Sequence, residues 1–571
     1  MRCLVVATVG QRERLYASVS WSLPVPVAGP VPSQVVESSR AWWRHAVVYQ
    51  IYVRSFADGN GDGTGDIAGM RSRLPYLERL GIDAIWVNPW YRSPLLDGGY
   101  DVADYREIDE RFGTTSDAEA FIAEARTHGI RVLVDLVPNH TSWDHLWFRA
   151  ALAASRGSNE RARYHFLDGR GDRGELPPND WQSVFGGPAW TRAPDGQWYL
   201  HLFDESQPDV NWEHPEVADE FEAVMRFWLD RGAAGFRIDV AHGLAKAPGY
   251  PDSGVAANDG RGQPEALPYW DRDEIHPIVR RWRRVLDEYD DDRMMVAEAW
   301  VDAARRPLYL RPDEYHQAFD FDLLTAAWEA DGFASIIAAS VSAAQAVGSD
   351  PTWVLSNHDV VRHPTRYGLP NEIESGLWLL DGDRSLLDEE RGTRRARAAA
   401  LVTLALPGSA YVYQGDELGL PEAWDLPLDV LQDPIWHDSE HTVKGRDGCR
   451  VPIPWEPTGE SLGFGADGSW LPQPQEYARL AASVQENEPS STLSLYRAAL
   501  ALRRERLVEK VGFELVDRGP NVLAFRRGDS FICVANMGND PATLPDGEVL
   551  LSSGPLVDDR LPPDTTVWVA S

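Results

Sequence analysis

Eight short apolar runs, rich in β-branched residues, recur along the chain. Within each run the hydrophobic residues are nearly continuous rather than alternating, which predicts strands buried on both faces of a parallel sheet. The predicted strands cover residues 47–53, 84–88, 131–137, 235–240, 294–300, 318–323, 352–356 and 410–413.

Helical patterns lie between these runs, at residues 68–80, 116–127, 217–230 and 273–289. Ser116 and Glu119 have the spacing of a capping box at the start of the second helix. Eight strands that alternate with helices predict an α/β fold, a (β/α)8 TIM barrel. Polar residues cluster directly after the strands, at the barrel face where sites are built.

Two connections are too long to be simple loops, and they divide the chain into domains. We expect residues 1–40 to be a disordered N-terminal extension, and 41–140 with 209–507 to form the barrel. Residues 141–208, after the third strand, are rich in Gly, Pro and Trp and predict an inserted subdomain B. A second excursion covers about 415–490. From 508 to 571, short alternating runs with turn signals predict a C-terminal antiparallel β-sandwich domain.

Composition narrows the function classes. The 571 residues include 55 basic and 88 acidic side chains, a formal net charge of −33, which disfavours nucleic acid and anionic lipid as partners. The three cysteines form no CxxC pair and favour a reducing compartment. No apolar run approaches a membrane span, and no signal-peptide cleavage site follows the N-terminus. We therefore expect a cytoplasmic protein with no membrane partner, and leave its oligomeric state open.

Ionisable residues end four of the predicted strands: Asp135 with Asn139-His140, Arg237 with Asp239, Glu298, and His358-Asp359. Carboxylates that converge at one barrel mouth suit acid/base work on a neutral polar substrate. Two carboxyls about 5–5.5 Å apart can perform retaining glycoside hydrolysis. Residues i and i+2 of a strand share a face, so Arg237 can hold the Asp239 carboxylate. Apolar neighbours would keep Glu298 protonated as the acid.

The segments DLVPNH, GFRIDVAH, VAEAW and LSNHD resemble the four signature regions of glycoside hydrolase family 13, the α-amylase family. The resemblance covers roughly residues 41–565. It implies that Asp239 is the nucleophile, Glu298 the general acid/base, and Asp359 the third carboxylate, which binds the 2- and 3-hydroxyls of the sugar. It also implies that Arg237, His140 and His358 fix the substrate. Asp135 would be a structural acid that supports Arg237.

The element Asp97-Gly-Gly-Tyr100-Asp101 resembles DNGYD of the α-glucosidase and oligo-1,6-glucosidase branch. The resemblance implies that Asp97 and Arg450 bind the 4-hydroxyl of the terminal glucose while Tyr100 stacks under its ring. A pocket closed at that hydroxyl is typical of enzymes that act on non-reducing ends. Two departures are Gly98 in place of Asn and CRVPIPW in place of ARTPMQW. Val240, after the nucleophile, often accompanies α-1,6 substrates in this branch.

Residues 58–66 (DGNGDGTGD) place oxygen-bearing side chains on alternate residues, as in a calcium-binding loop. Position twelve is Gly69 rather than Glu, so the loop is not an EF-hand. It resembles the calcium loop after the first strand in the oligo-1,6-glucosidase branch, which implies a structural Ca²⁺, with Mg²⁺ as the alternative occupant. The ligands would be Asp58, Asn60, Asp62, Thr64 and Asp66.

These patterns together predict a retaining exo-acting α-glucosidase. Its substrates would be short α-glucosides of the maltose or isomaltose type, with α-glucose as product and transglucosylation as a second outcome. One alternative is an α-glucosyl transferase or isomerase of the same family, of the trehalose synthase or sucrose-converting type. A minor alternative is a non-catalytic homologue, which the three retained carboxylates disfavour.

Overall fold

The computed structural model describes residues 41–258, 260, 267–289, 293–381, 383–466, 468–508 and 512–570. The predicted N-terminal extension, residues 1–40, lies outside the described residues. Residues from Trp42 onward form one compact unit.

A closed barrel of eight parallel strands forms the centre of this unit, as the apolar runs predict. Its strands are β1 Val47–Ile51, β2 Ala84–Val87, β3 Arg131–Leu136, β4 Gly235–Ile238, β5 Met294–Ala297, β6 Gln317–Asp320, β7 Thr352–Val354 and β8 Ser409–Tyr413. Each strand pairs with its neighbours in sequence, and β1 closes the barrel against β8. Almost every strand residue is buried, because helices cover the outside and side chains fill the inside.

Helices follow the strands around the barrel, and two of them begin differently from the prediction. The segment 68–80 is two helices, broken at Arg73 because Pro75 lacks the N–H that a continuous helix needs. The capping box of the next helix is Thr114 with Asp117, two residues earlier than predicted. The α-helices are Ile67–Ser72, Leu74–Leu80, Thr115–Thr127, Leu146–Ala153, Asn159–Ala162, Pro215–Asp230, Ile275–Leu286, Arg306–Tyr309, Phe321–Leu324, Ala330–Ala346, His363–Gly368, Ser375–Asp381, Glu389–Ala405, Pro434–Asp438, Ala482–Gln485 and Thr492–Arg506.

The long connection after β3 carries a small antiparallel sheet of its own. Its three strands are Phe166–Asp168, Gln197–Leu200 and Trp190–Arg192, with Gln197–Leu200 in the middle. A separate aromatic cluster, which includes Trp181, packs this segment against the loop that follows β4. The connection therefore stands over the carboxyl ends of β3 and β4.

A five-stranded antiparallel sheet forms the C-terminal region. In chain order its strands are β9 Glu514–Leu515, β10 Val522–Arg526, β11 Phe531–Asn536, β12 Glu548–Ser552 and β13 Thr565–Ala570, and the sheet order is β9-β10-β11-β13-β12. One face packs on the helix Glu389–Ala405, where the Trp568 indole donates to the Leu401 carbonyl. On the other face, Leu561 of a two-stranded ribbon joins an apolar cluster with β10, β11 and β13.

No helix in the described part of the chain is long and apolar enough to cross a membrane. Cys449 and Cys533, the cysteines that the structure describes, are both free and buried.

Candidate active site

A cavity of about 720 Å³ opens at the carboxyl ends of the barrel strands. Most of the catalytic and substrate-binding residues predicted from the sequence line it. They are Asp97, Tyr100, His140, Asp239, Glu298, His358 and Asp359. Two predicted residues, Arg237 and Arg450, are buried behind this lining and act on it through hydrogen bonds.

Arg237 on β4 holds the two central carboxylates together. Its Nη1 lies 2.6 Å from Asp239 Oδ1, and its Nη2 lies 2.7 Å from Glu298 Oε2. Asp135, at 3.0 Å from the same Nη1, holds the guanidinium from the β3 side. Two carboxyl groups that contact the two amino groups of one guanidinium are close neighbours, as the pair that performs retaining glycoside hydrolysis has to be.

Burial and ion pairing act in opposite directions on the pKa values of the carboxyl groups in this network. Burial raises the pKa of Asp239, the Arg237 guanidinium opposes that rise, and the neighbouring Glu298 adds to it. Burial likewise raises the pKa of Asp135 to about 6, against the pull of Arg237. One guanidinium thus faces three buried carboxyls, and their mutual repulsion is part of what raises the pKa of Asp239.

Glu298 lies in a more polar setting than its apolar sequence neighbours predict. Besides the Arg237 contact, its Oε2 accepts the Val240 amide at 3.0 Å, and its Oε1 accepts the Trp300 indole at 3.3 Å. Val240 has φ +44°, a left-handed conformation that is strained for a β-branched residue. That conformation turns its amide toward Glu298, so the residue after the predicted nucleophile also holds the predicted acid.

Asp359 lies on the opposite side of the cavity among cationic groups. Arg450 Nη2 and Arg446 Nη1 lie 3.0 and 3.2 Å from its Oδ1, and His358 Nε2 lies 3.3 Å from its Oδ2. Burial opposes ionisation of Asp359, but His358 and the two guanidiniums outweigh it and hold its pKa below the usual range. Gln50 donates to His358 Nδ1 at 2.7 Å, which leaves the Nε2 proton to face Asp359.

Arg446, rather than Arg450, completes the closed end of the cavity. Its Nη2 lies 2.7 Å from Asp97 Oδ1, and it lines the cavity. Arg450 instead donates to the His358 carbonyl and to Asp359. Gln207 of the inserted segment bridges Asp97 Oδ2 and His140 Nε2, at 3.0 and 3.1 Å.

Arg446 and Gln207 are not among the residues predicted from the sequence. The sole available signal for Arg446 was that an arginine precedes the CRVPIPW segment by three residues; nothing in its local pattern points to a partner 349 residues away. Gln207 lies at the end of the inserted segment, where no motif marks it.

Tyr100 lies face to face with His358, at 5.2 Å between ring centroids and 10° between ring planes. Its hydroxyl donates to Asp135 Oδ2 at 3.0 Å and accepts the Asn88 amide at 2.8 Å. Hydrogen bonds at the ring's far end fix the orientation of the face that lines the cavity. Such a fixed aromatic face is suited to stacking against a sugar ring.

The predicted metal loop is a compact turn before the first helix. Asp58 accepts the Gly61 and Gly63 amides at 2.6 and 2.9 Å, and Asp66 accepts the Asn60 amide at 3.0 Å and caps the helix at Gly69. No cluster of three or more His, Cys, Asp or Glu side chains arranged for a metal occurs within the described residues. The predicted donors, three carboxylates with an amide and a carbonyl, are all oxygens, which is the set that suits a hard cation.

Comparison with known proteins places these features in a family. The family model described as the α-amylase catalytic domain matches residues 50–511. A protein of Rhizobium meliloti (strain 1021) named "Probable alpha-glucosidase" is 36% identical over 90% of this chain and 92% of its own length. The oligo-1,6-glucosidase of Parageobacillus thermoglucosidasius is 32% identical over 82% and 84%. The crystal structure of the trehalulose synthase MutB from Pseudomonas mesoacidophila MX-45 superposes with a TM-score of 0.80 at 30% identity, covering 93% and 99%.

Proposed function

The chain belongs to the α-amylase family of glycoside hydrolases, which act on O-glycosyl bonds, and we propose that it is a retaining exo-acting α-glucosidase. The observation that carries the proposal is the contact of Asp239 and Glu298 with the two amino groups of one buried guanidinium, at the mouth of the barrel. The relatives named α-glucosidase and oligo-1,6-glucosidase support the same assignment.

In the first step, Asp239 attacks the anomeric carbon while Glu298 gives its proton to the departing oxygen. The Arg237 guanidinium, 2.6 Å from Asp239 Oδ1, opposes the effect of burial on the Asp239 pKa and fixes the orientation of the carboxylate. In the second step, Glu298 takes a proton from water, and the water oxygen replaces Asp239 at the anomeric carbon. Each step inverts the configuration at the anomeric carbon, so the two steps together release glucose in the α-configuration of the substrate.

Exo action follows from the closed end of the cavity. Asp97 and Arg446 form an ion pair there, at 2.7 Å, and both line the cavity. A terminal glucose would place its 4-hydroxyl against this pair, and a further sugar on that hydroxyl would overlap it. We therefore expect release of single glucose units from the non-reducing ends of short α-glucosides.

A real-time NMR assay on maltose and isomaltose tests this function, with Asp239→Asn as the control. The expected result is early α-glucose, absent in the variant. Early β-glucose would contradict the retaining mechanism. A new disaccharide without free glucose would instead favour an isomerase, a candidate that the likeness to trehalulose synthase supports.

We also propose that residues 58–66 bind Ca²⁺ in a structural role. The ligands would be oxygens of one loop, from Asp58, Asn60, Asp62, Thr64 and Asp66. A bound cation would hold the loop in place by its positive charge and would take no part in the reaction. Added Ca²⁺ should raise the melting temperature of chelator-treated protein. Asp62→Ala, which removes the side-chain oxygens of one exposed ligand, should abolish most of that rise. An equal rise in both proteins would contradict a site in this loop.

We also propose that the protein is located in the cytoplasm. It is supported by the low cysteine content, since the two described cysteines are unpaired and too deeply buried to serve as surface crosslinks. Localisation of a tagged chain by fractionation tests it.

A further inference from the structure

A second cavity, of about 160 Å³, lies at the opposite end of the barrel from the active site. Asp83, which directly precedes β2, and Arg131, the first residue of β3, form one part of its wall. Arg503 and Arg504, in the last turn of the helix Thr492–Arg506, form another part. Because the candidate active site opens at the carboxyl ends of the strands, the two cavities are separate and share no lining residue.

Positive charge predominates in the wall of this second cavity. Three arginines line it, Arg131, Arg503 and Arg504, against one acidic residue, Asp83. Both oxygens of that carboxylate are already occupied, since Oδ1 accepts Arg504 Nη2 at 2.9 Å and Oδ2 accepts a backbone amide at 2.8 Å. One carboxylate therefore offsets one of three guanidiniums, in a chain whose formal net charge is −33.

Arg503 is almost completely buried, and no carboxylate of a described residue forms an ion pair with it. Its Nη2 donates to the His45 carbonyl at 3.2 Å and its Nη1 to the Leu406 carbonyl at 3.1 Å. Carbonyl groups satisfy its hydrogen bonds but leave its charge in place. Burial and the neighbouring Arg527 lower the Arg503 pKa to about 10, although Asp83 opposes this effect. An anion in the cavity would stabilise the charged form of Arg503.

Arg131 has no evident structural task. Arg503 and Arg504 stabilise the end of their helix, because cations are favourable at a helix C-terminus. Arg131 instead begins a strand, and its side chain forms no hydrogen bond or ion pair with another described residue. Its guanidinium carbon lies 4.8 Å from the ring centre of Trp42, which leaves the N–H groups at its edge available to a ligand.

We propose that this cavity binds a small oxyanion with two negative charges, the phosphate group of inorganic phosphate or of a small phosphate monoester. A guanidinium can donate to two phosphate oxygens at once, and those of Arg131 and Arg504 are exposed to solvent. The volume equals that of about five water molecules at roughly 30 Å³ each, which admits a phosphate group but excludes a disaccharide. The bound anion would join the starts of the strands to the end of the helix and so stabilise the folded chain, independently of the proposed α-glucosidase reaction.

Isothermal titration calorimetry of the full chain with inorganic phosphate, at an ionic strength held constant with sodium chloride, tests this site. Wild-type protein should bind one phosphate per chain, and Arg131→Gln should bind it about tenfold more weakly, the effect of one hydrogen bond between charged groups. Arg131→Lys should lose less, because it keeps the charge. Arg173→Gln, which neutralises an exposed arginine of the inserted segment, is the matched control and should bind like wild type.

Thermal melting gives a second measurement that does not depend on heats of binding. About 20 mM phosphate should raise the melting temperature of wild type and of Arg173→Gln by a few degrees, whereas Arg131→Glu should show almost no rise. Glycerol phosphate separates the two sources of the anion: an equal rise supports a monoester, and no rise restricts the site to the free anion.

Three outcomes would overturn the inference. They are a wild-type protein that binds no phosphate, an affinity that Arg131→Gln leaves unchanged, and a rise in melting temperature that chloride reproduces at the same ionic strength. Because Arg131 is exposed at the start of its strand, its variants should fold, and the melting temperature without phosphate checks this directly. Hydrolysis of maltose by Arg131→Gln should match wild type, so that failure of the proposed function would be recognised separately.

Discussion

Asp97 is the residue through which the exo character of the site is best tested. Its carboxylate is 3% exposed, receives Arg446 at 2.7 Å and Gln207 at 3.0 Å, and closes the glucose end of the cavity. In Asp97→Asn, the guanidinium of Arg446 stays in place because Asp433 still holds it at 2.6 Å. The variant therefore removes the charge of one acceptor without releasing the arginine.

The expected loss of activity in Asp97→Asn equals the contribution of one hydrogen bond, from the sugar 4-hydroxyl to the charged carboxylate. A hydroxyl that donates to a buried carboxylate contributes about 1.5–3 kcal/mol, which corresponds to a loss of roughly 10- to 100-fold in kcat/KM. The same loss is expected when wild-type enzyme acts on a maltose that lacks the 4-hydroxyl at its non-reducing end. Because both changes remove the same bond, their combination should cost little more than either alone.

The assay is a double-mutant cycle of kcat/KM, with wild type and Asp97→Asn against maltose and its 4-deoxy analogue. Arg446→Lys should show the same non-additivity, whereas Arg450→Lys, which disturbs Asp359 instead, should act equally on both substrates. Fully additive losses in Asp97→Asn would show that its carboxylate does not bind the 4-hydroxyl. Non-additivity in Arg450→Lys alone would restore Arg450 to the role implied by the sequence resemblance.

Three further predictions concern the acid, the linkage preference and stability. Glu298→Gln should lose about 10³-fold on maltose but far less on 4-nitrophenyl α-glucoside, whose leaving group needs no proton, and azide should restore turnover; equal losses on both substrates would argue against the acid role. Val240→Thr adds one hydroxyl and should raise the maltose-to-isomaltose rate ratio several-fold, so an unchanged ratio in a steady-state comparison would remove Val240 as a determinant. Burial raises the pKa of Asp101 and of Asp416 to about 7, above the unfolded value near 4. Their folded-state stabilisation is complete below pH 4 and is lost as pH rises to about 7, so the melting temperature should fall over that window less steeply in Asp101→Asn than in wild type.

The barrel was predictable because each strand can be recognised from its own residues alone. Continuous apolar runs identify strands buried on both faces, and all eight of them enter the closed sheet. The strand period of two also placed Arg237 and Asp239 on one face, and the structure brings Nη1 within 2.6 Å of the carboxylate. Both predictions depend on geometry within one element, which the sequence records directly.

Features that depend on distant partners were not predictable in this way. Glu298 has apolar neighbours in sequence, yet it contacts the guanidinium of Arg237 on a neighbouring strand and the indole of Trp300. Arg446 reaches Asp97 across almost the whole barrel sequence. The predicted capping box of the helix Thr115–Thr127 was wrong by two residues for a local reason. Two overlapping capping-box patterns were available, and the extended backbone at Thr114 selects the earlier one.

The two carboxyls proposed as catalytic, Asp239 and Glu298, differ in their environments, although they share Arg237. Asp239 meets Nη1, which also serves Asp135, so part of the positive charge near the nucleophile is already neutralised. A carboxylate held by a partly neutralised cation keeps more of its electron density for attack than one with the cation to itself. Glu298 meets Nη2 alone and adds the Val240 amide, a donor that a strained backbone turns toward it. The guanidinium, this amide and the Trp300 indole thus fix the orientation of the Glu298 carboxyl at the cavity, where the proposed proton transfers take place.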